Sequence, residues 1–383
     1  MTVTDAPTAS RRAVFTDEQE LFRATVRTFL EDKVVPDYPS WLEDGRPSRR
    51  FWERAGELGM LGVGIPAHLG GRPGSDFRDS AVVTEEIQRL GLAIGGLRVQ
   101  TDICMPYLMH HGSPEQQERW LPRLTSGESV IALAMSEPGA GSDIKSLATR
   151  AVRDGDHYVV NGAKTFISNG AAADLVILAV KTDPDAGRDG LSLLVVETSS
   201  EGFERGRKLD KLGLAAQDLA ELSFTDMRVP LDHLLGDEGS GFSYLTSNLA
   251  QERLSIALNS QAAAAAALEW TVADLQGTKP SQAVKFAVAS CATEVAAGQA
   301  LIDEALTRLL ADELTGAHAA LVKLFCTELQ GRTVARCLDL APPATSFRSS
   351  SRIGQAYLDG RVSRIYGGSS EIMKVIVAQQ LGL

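Results

Sequence analysis

The feature that most constrains the fold of this chain is a double change of hydrophobic period. As far as Thr125 apolar residues recur at helical spacing, as in Leu21, Phe22, Val26 and Phe29 behind the capping-box pair Thr16 and Gln19. Between Val130 and Thr225 they fall instead into short β-rich runs separated by Gly, Asp and Asn, and from Gly241 to the end the helical period returns. A chain so patterned is an α+β protein, and at 383 residues it exceeds what one core usually holds. We expect an N-terminal α-helical domain over residues 1–126, a middle antiparallel β domain over 127–238 and a C-terminal four-helix-bundle-like domain over 239–383.

The pattern predicts helices from Thr16 to about Lys33 and near Arg49–Leu58, Ser75–Leu90, Gly91–His110 and Pro114–Thr125. Strands are expected at Val130–Ala134, Tyr158–Asn161, Leu175–Val180, Leu191–Val196 and Leu219–Thr225, with Asp154-Gly155 as a hairpin turn between Thr149–Arg153 and His157–Val160. Long helices follow near Gly241–Ala273, Ser281–Leu310 and Thr315–Leu338, with shorter ones near Ser351–Tyr357 and Ser369–Gln380. Leu340–Ser351 is Pro- and Ser-rich and reads as a loop. Apolar residues on more than one face of Gln261–Leu268 and Val284–Ala297 imply burial against another chain.

Charge and composition exclude several classes of function. A net charge of −11 without a basic run argues against nucleic acid. The Ala-rich stretch Leu254–Leu268 is too short for a membrane span, and Met1–Arg12 has no apolar run of the kind a signal peptide needs, so we expect a cytoplasmic protein with no membrane partner. Cys104, Cys291, Cys326 and Cys337 show no metal-ligand spacing with the six histidines and read as buried spectators.

Four elements can carry chemistry. Ser136-Glu137-Pro138-Gly139-Ala140-Gly141-Ser142-Asp143 follows a strand and offers backbone amides and two hydroxyls to a ligand, although a plain Gly-rich turn has the same composition. Lys164-Thr165-Phe166-Ile167-Ser168-Asn169-Gly170 ends a strand with an aromatic that can stack on a planar cofactor or pack in the core. Glu252 sits in the helical stripe Phe242, Leu245, Leu249, Glu252, Ile256, where desolvation would raise its pKa and make it a base. On spacing alone a structural ion pair with Arg253 is the commoner outcome for such a Glu. Tyr366-Gly367-Gly368-Ser369 precedes a terminal helix whose free amides can hold a polar ligand edge, or is simply a Gly-Gly linker before a capped helix.

Taken together, Ala134–Asp143, Asn161–Gly170 and Ile365–Lys374 resemble three signatures of the acyl-CoA dehydrogenase family, in order and across nearly the whole chain from Phe15 to Gln380. The resemblance implies an FAD-containing homotetramer, or dimer of dimers, that oxidises a saturated acyl thioester, on CoA or a carrier protein, to the trans-2-enoyl product. It further implies an electron-transfer flavoprotein as acceptor. By the same resemblance Met135, Ser136, Gly141 and Ser142 line the flavin or the neighbouring acyl tail. Phe166, Ile167 and Ser168 pack on the isoalloxazine, and Ser369, Ser370 and Glu371 approach the adenosine side. Gln282 also faces the cofactor, while Ser142, Arg253 and Tyr366 meet the thioester. Many members carry the base directly after the tyrosine of the last signature, where this chain has Gly367. Gln251-Glu252-Arg253-Leu254 resembles the long-chain and isovaleryl-type placement, which assigns the base to Glu252 and leaves the Gly367 amide to stabilise the enolate oxygen.

Two departures stand out. Between Trp270 and Gln282 the chain lacks the family's Arg and Phe-Gly that reach the FAD diphosphate of a neighbouring subunit, and Leu340-Ala341-Pro342-Pro343-Ala344 replaces its Gln…Gly-Gly element. They imply a weaker grip on FAD or a half-site from a different partner chain. A non-catalytic subunit of a heteromeric dehydrogenase and a flavin oxidase or monooxygenase therefore remain as alternatives to the dehydrogenase.

Overall fold

The structure, a computed structural model, describes residues 12–342, 346 and 348–383; the expectations placed on Met1–Arg11, Pro343 and Ala344 lie outside them. Helices α1 (Asp17–Phe29), α2 (Val35–Asp44), α3 (Arg49–Glu57), α4 (Phe77–Arg89), α5 (Gly96–Arg98), α6 (Met105–His111) and α7 (Pro114–Thr125) come first. Strands β1 (Ile131–Ala134), β2 (Arg150–Asp154), β3 (His157–Ser168), β4 (Leu175–Lys181), β5 (Leu191–Glu197), β6 (Phe203–Lys208) and β7 (Leu219–Pro230) follow. The chain ends in α8 (Gly241–Ser247), α9 (Leu249–Leu275), α10 (Gln282–Leu310), α11 (Gly316–Leu340), α12 (Arg352–Asp359) and α13 (Ser370–Gln380).

Local chemistry explains most of these ends. Ser113 and Gln116 close a reciprocal capping box on α7, and α10 to α13 each begin on a hydroxyl N-cap, Ser281, Thr315, Ser351 and Ser369. The expected first helix, which was to end near Lys33, runs on through a π turn at Leu30–Val34 into α2. Pro36 falls in the first turn, where no N–H is needed. The expected Gly91–His110 helix is an irregular segment, then α5, a π turn at Val99–Cys104, and α6. The expected Gly241–Ala273 helix is broken at Asn248.

The sheet is antiparallel in four of its six strand pairings and parallel where β1 and β2 meet β4. Its order is β1-β4-β2-β3-β7-β6 with β5 on β4, and β1 pairs β4 in parallel, Ile131 opposite Leu175. Parallel pairing needs a long crossover, which the β2–β3 hairpin provides. Strand β6 was not foreseen: Phe203–Lys208 has one half-buried and five exposed residues, so no apolar alternation marks it.

The first core joins α1 to α4 with α9, α10 and α11, through Phe29, Trp41 and Phe51 to Leu254 and Ile302. A second lies between α6, α7 and the sheet, and a third fills the sheet's other face. Gln261–Leu268 is buried by the chain's own helices, contrary to the expectation that it faces another subunit, whereas Phe286 on α10 is 63% exposed. The four cysteines are free and buried. No described helix is long and apolar enough to cross a membrane.

The passage from helices to sheet turns on Gly127, at φ +77 between α7 and β1, where a Cβ would lie 2.1 Å from the Trp52 carbonyl oxygen. Gly127→Ala therefore combines left-handed strain with a backbone clash, and we expect it to lower stability by about 2 kcal/mol or more. Urea unfolding with an unchanged slope and a lower midpoint would show this; an unaltered midpoint would refute it.

Candidate active site

Helix α9 carries Glu252, and its rotation is set by its neighbours. Gln251 Nε2 donates to the Asp102 carbonyl at 2.9 Å, and the Ser255 hydroxyl donates to the Asp102 carboxylate at 2.5 Å, which also accepts from Ser80 and Thr101. Asp102 lies in the π turn, so that irregular turn and α9 are stitched together on one side. This leaves Glu252 facing α6, 4% exposed, its Oε1 accepting the Tyr107 hydroxyl at 2.8 Å and a longer contact from Asn248 Nδ2 at 3.5 Å.

Burial raises the Glu252 pKa to about 7, against the opposing pull of the Tyr107 and Asn248 hydrogen bonds and the Arg253 charge. Burial and the Glu252 charge push the Tyr107 hydroxyl well up, so it remains a donor. Arg253 turns away, Nη1 donating to the Gly316 carbonyl at 3.0 Å, and makes no ion pair with Glu252. The structural-pair alternative for Glu252 thus has no geometric basis.

The C-terminal motif comes to the same face of α9. A Cβ built on Gly367 would lie 2.2 Å from Ile256 Cδ1, one helical turn beyond Glu252, and Gly367 and Gly368 both have positive φ, +61 and +93. Among the described residues nothing accepts from the Gly367 N–H. Tyr366 and Arg98 line a narrow crevice of about 30 Å³ together with Asn259 and Ala263, two and three turns along α9 from Glu252.

In the sheet, the Ser136–Ser142 loop is held from below. Buried Lys164 donates to the Met135 carbonyl at 3.0 Å and to Glu137 Oε1 at 2.8 Å, Glu137 also accepts the Ala148 and Thr149 amides, and Thr165 N–H donates to the Ser136 carbonyl at 2.9 Å. Burial pulls Lys164 down to about 8, with Glu137 opposing. Burial pushes the Glu137 carboxyl up, but Lys164, Thr149 and the Ala148 amide together hold it below its ordinary value. Sequence reasoning quoted both residues without giving them a role; a Glu and a Lys at the starts of two Gly-containing loops were the available signal.

Above this support, Gly139 and Gly141 have open space where a Cβ would stand, and Ser142 is exposed. Phe166, at a register shift of β3, has φ +59 and is 66% exposed, an aromatic face kept outside the core at a cost in backbone strain. Ser168 accepts from Gln217 Nε2 at 3.1 Å. An exposed aromatic beside an open loop suits a planar, polar-edged cofactor such as a flavin.

Two expected cofactor residues, Ile167 and Ser370, need correction. The Ile167 side chain is 2% exposed in the sheet core, so it cannot pack on a ring outside. Ser370 is buried and gives its hydroxyl to Glu328 at 2.7 Å, whereas Ser369 caps α13 by accepting from Ile372 N–H and Glu371 is exposed. Gln282 is exposed at the first turn of α10 and is not brought to the other site residues within this chain.

With this geometry in place the comparisons are specific. Family models described as the acyl-CoA dehydrogenase N-terminal, middle and C-terminal domains match residues 16–128, 132–227 and 239–382. The chain is 38% identical over 97% of its length to the long-chain specific acyl-CoA dehydrogenase, mitochondrial, of Sus scrofa, covering 88% of that protein. It is 31% identical over 96% of its length to an acyl-CoA dehydrogenase of Bacillus subtilis (strain 168), covering 98% of it. The crystal structure of acyl-CoA dehydrogenase from Geobacillus kaustophilus superposes with a TM-score of 0.94 at 40% identity, over 97% of this chain and 100% of that one.

The raised Glu252 pKa sets a stability prediction. Between about pH 4.5 and pH 7 the unfolded carboxyl ionises while the folded one stays protonated, so Glu252 destabilises the fold increasingly over that window and fully above it. Glu252→Gln is expected to be neutral at or below pH 4.5 and stabilising by about 3 kcal/mol at pH 8. Denaturation midpoints at the two pH values test it, and a variant less stable than wild type at pH 8 would restore the ion-pair alternative.

Proposed function

Because the chain belongs to the acyl-CoA dehydrogenase family, oxidoreductases acting on CH–CH donors with FAD, we propose that it dehydrogenates a saturated acyl thioester with Glu252 as the base. One observation carries this reading: a carboxylate buried without a cationic partner and poised near neutrality, on the α9 face that also meets Gly367. The α-proton of a thioester is weakly acidic, so its removal needs a desolvated base and a donor to the enolate oxygen. Glu252 Oε2, the oxygen Tyr107 leaves free, takes the α-proton as the Cα–H bond breaks. The unengaged Gly367 N–H donates to the thioester oxygen, with its chain neighbour Tyr366 beside it.

When bound, FAD would supply the acceptor for the β-hydride. Phe166 and Ser168 offer it a stacking face and a polar edge, and the loop of Met135, Ser136, Gly141 and Ser142 borders them. A retained base disfavours a monooxygenase, which needs no α-proton abstraction, whereas an oxidase of the thioester would use the same base and differ only in passing its electrons to dioxygen. The electron acceptor in this reading is an electron-transfer flavoprotein, as the resemblance implies. A second copy of this chain covers the exposed Phe286, Leu321 and Val375 of α10, α11 and α13, and light scattering of a folded monomer at micromolar concentration would contradict that assignment.

Glu252→Gln should retain FAD while slowing flavin reduction by an acyl-CoA on the order of 10²-fold or more in stopped flow. Equal reduction rates would remove Glu252 from the mechanism. Moving the carboxylate tests the shared face: Glu252→Gly with Gly367→Glu should restore partial activity, because the new Cβ meets only the terminal Cδ1 of Ile256, a side-chain end that can rotate aside. No recovery would contradict this shared placement.

A further inference from the structure

Lys323 of α11 is a buried cation, 0% exposed, that the reaction as described does not use. It lies in the apolar run Ala319–Cys326, and among the described residues it has no carboxylate partner. Its Nζ donates instead to two backbone carbonyls, Tyr366 at 2.7 Å and Gly368. Burial, and then the Arg253 charge, lower its pKa to about 8, so it remains charged at neutral pH. A cation held in this way costs the fold stability, and a packed methionine would fill the space without that cost.

The Tyr366 carbonyl and the Gly367 N–H belong to one peptide group. In a planar trans peptide the two point in opposite directions, so a donor fixed on the carbonyl aims the N–H away from itself. The second bond, to Gly368, holds the following peptide and so fixes both glycines, at φ +61 and +93, where free glycine has the widest choice of conformations. A positive charge on the carbonyl also polarises the peptide and strengthens its N–H as a donor. The N–H so aimed has no acceptor among the described residues.

We propose that Lys323 is the positioning residue of the oxyanion hole: by gripping the Tyr366 and Gly368 carbonyls it orients and polarises the Gly367 amide toward a thioester carbonyl oxygen. The inference rests on the dehydrogenase reading and adds to it a residue that never touches substrate.

The test reads the carbonyl directly. In a Glu252→Gln background, which blocks turnover, the infrared carbonyl band of bound 1-¹³C-labelled acyl-CoA is compared with and without Lys323→Met. The band should be displaced from its free-ligand position by the Lys323 protein and move back toward it in Lys323→Met. With Glu252 intact, Lys323→Met should lower kcat tenfold to about a hundredfold with KM changed less than threefold. A merely structural role predicts lower stability with an unchanged band and an unchanged kcat for the folded fraction, and that result overturns the proposal. Should Lys323→Met fail to fold, Lys323→Gln, which keeps a donor without the charge, carries the same comparison and must show a smaller displacement than the Lys323 protein. An undisplaced band in the Lys323 protein itself would count against the dehydrogenase reading, whereas equal displacement in all variants would sink only the role of Lys323.

Discussion

The site depends on one costly arrangement: an ionisable carboxyl, Glu252, enclosed without a cation. Desolvation alone lifts its pKa to about 7, where it can both hold and release a proton at neutral pH. Everything around it preserves that state. Asp102 ties the π turn to α9 through Gln251 and Ser255, so the helix cannot rotate the carboxyl toward solvent. Tyr107 occupies one carboxylate oxygen, and Arg253 is drawn off to the Gly316 carbonyl rather than neutralising its neighbour. An ion pair with Arg253 would suit the fold better and would spoil the base.

Two buried lysines do similar work in separate parts of the molecule. Lys164 sits beneath the Ser136–Ser142 loop and binds the Met135 carbonyl; Lys323 sits beneath Tyr366–Gly368 and binds two carbonyls. Loops that must present free amides to a ligand cannot bond them internally, so their order comes from the carbonyl side. Lys164 also has Glu137 to pair with, and that carboxylate in turn holds the Ala148 and Thr149 amides. Among the described residues Lys323 has no such partner, which marks it as the more specialised of the two.

The helix–sheet–helix plan was legible because a period of 2 and a period of 3.6 cannot be confused over long segments. Elements escaped where that signal fails: β6 has no buried face, α2 carries two prolines, and the parallel pairing of β1 with β4 depends on a crossover that no local pattern records. The site was legible in part. Glu252 betrayed itself as a charge on an apolar stripe, and Lys323 offered the same signal in Ala319–Cys326 without being singled out. Ile167 and Ser370 were assigned outward roles by resemblance, but strand alternation puts Ile167 into the core and Glu328 takes the Ser370 hydroxyl.

By itself, then, the sequence determined the helix–sheet–helix order, that Glu252 would be desolvated, and that Gly367 could not be a base, since these follow from side-chain chemistry and local spacing. Only the tertiary structure decided which partner each buried charge receives. Spacing puts Arg253 next to Glu252, yet α9 projects successive side chains about 100° apart, and distant segments, α6, α11 and the Tyr366–Gly368 loop, supply the actual partners. Electrostatics falls off with distance through space and takes no account of distance along the chain, so the pKa of the base and the direction of the Gly367 amide are properties of the packed molecule.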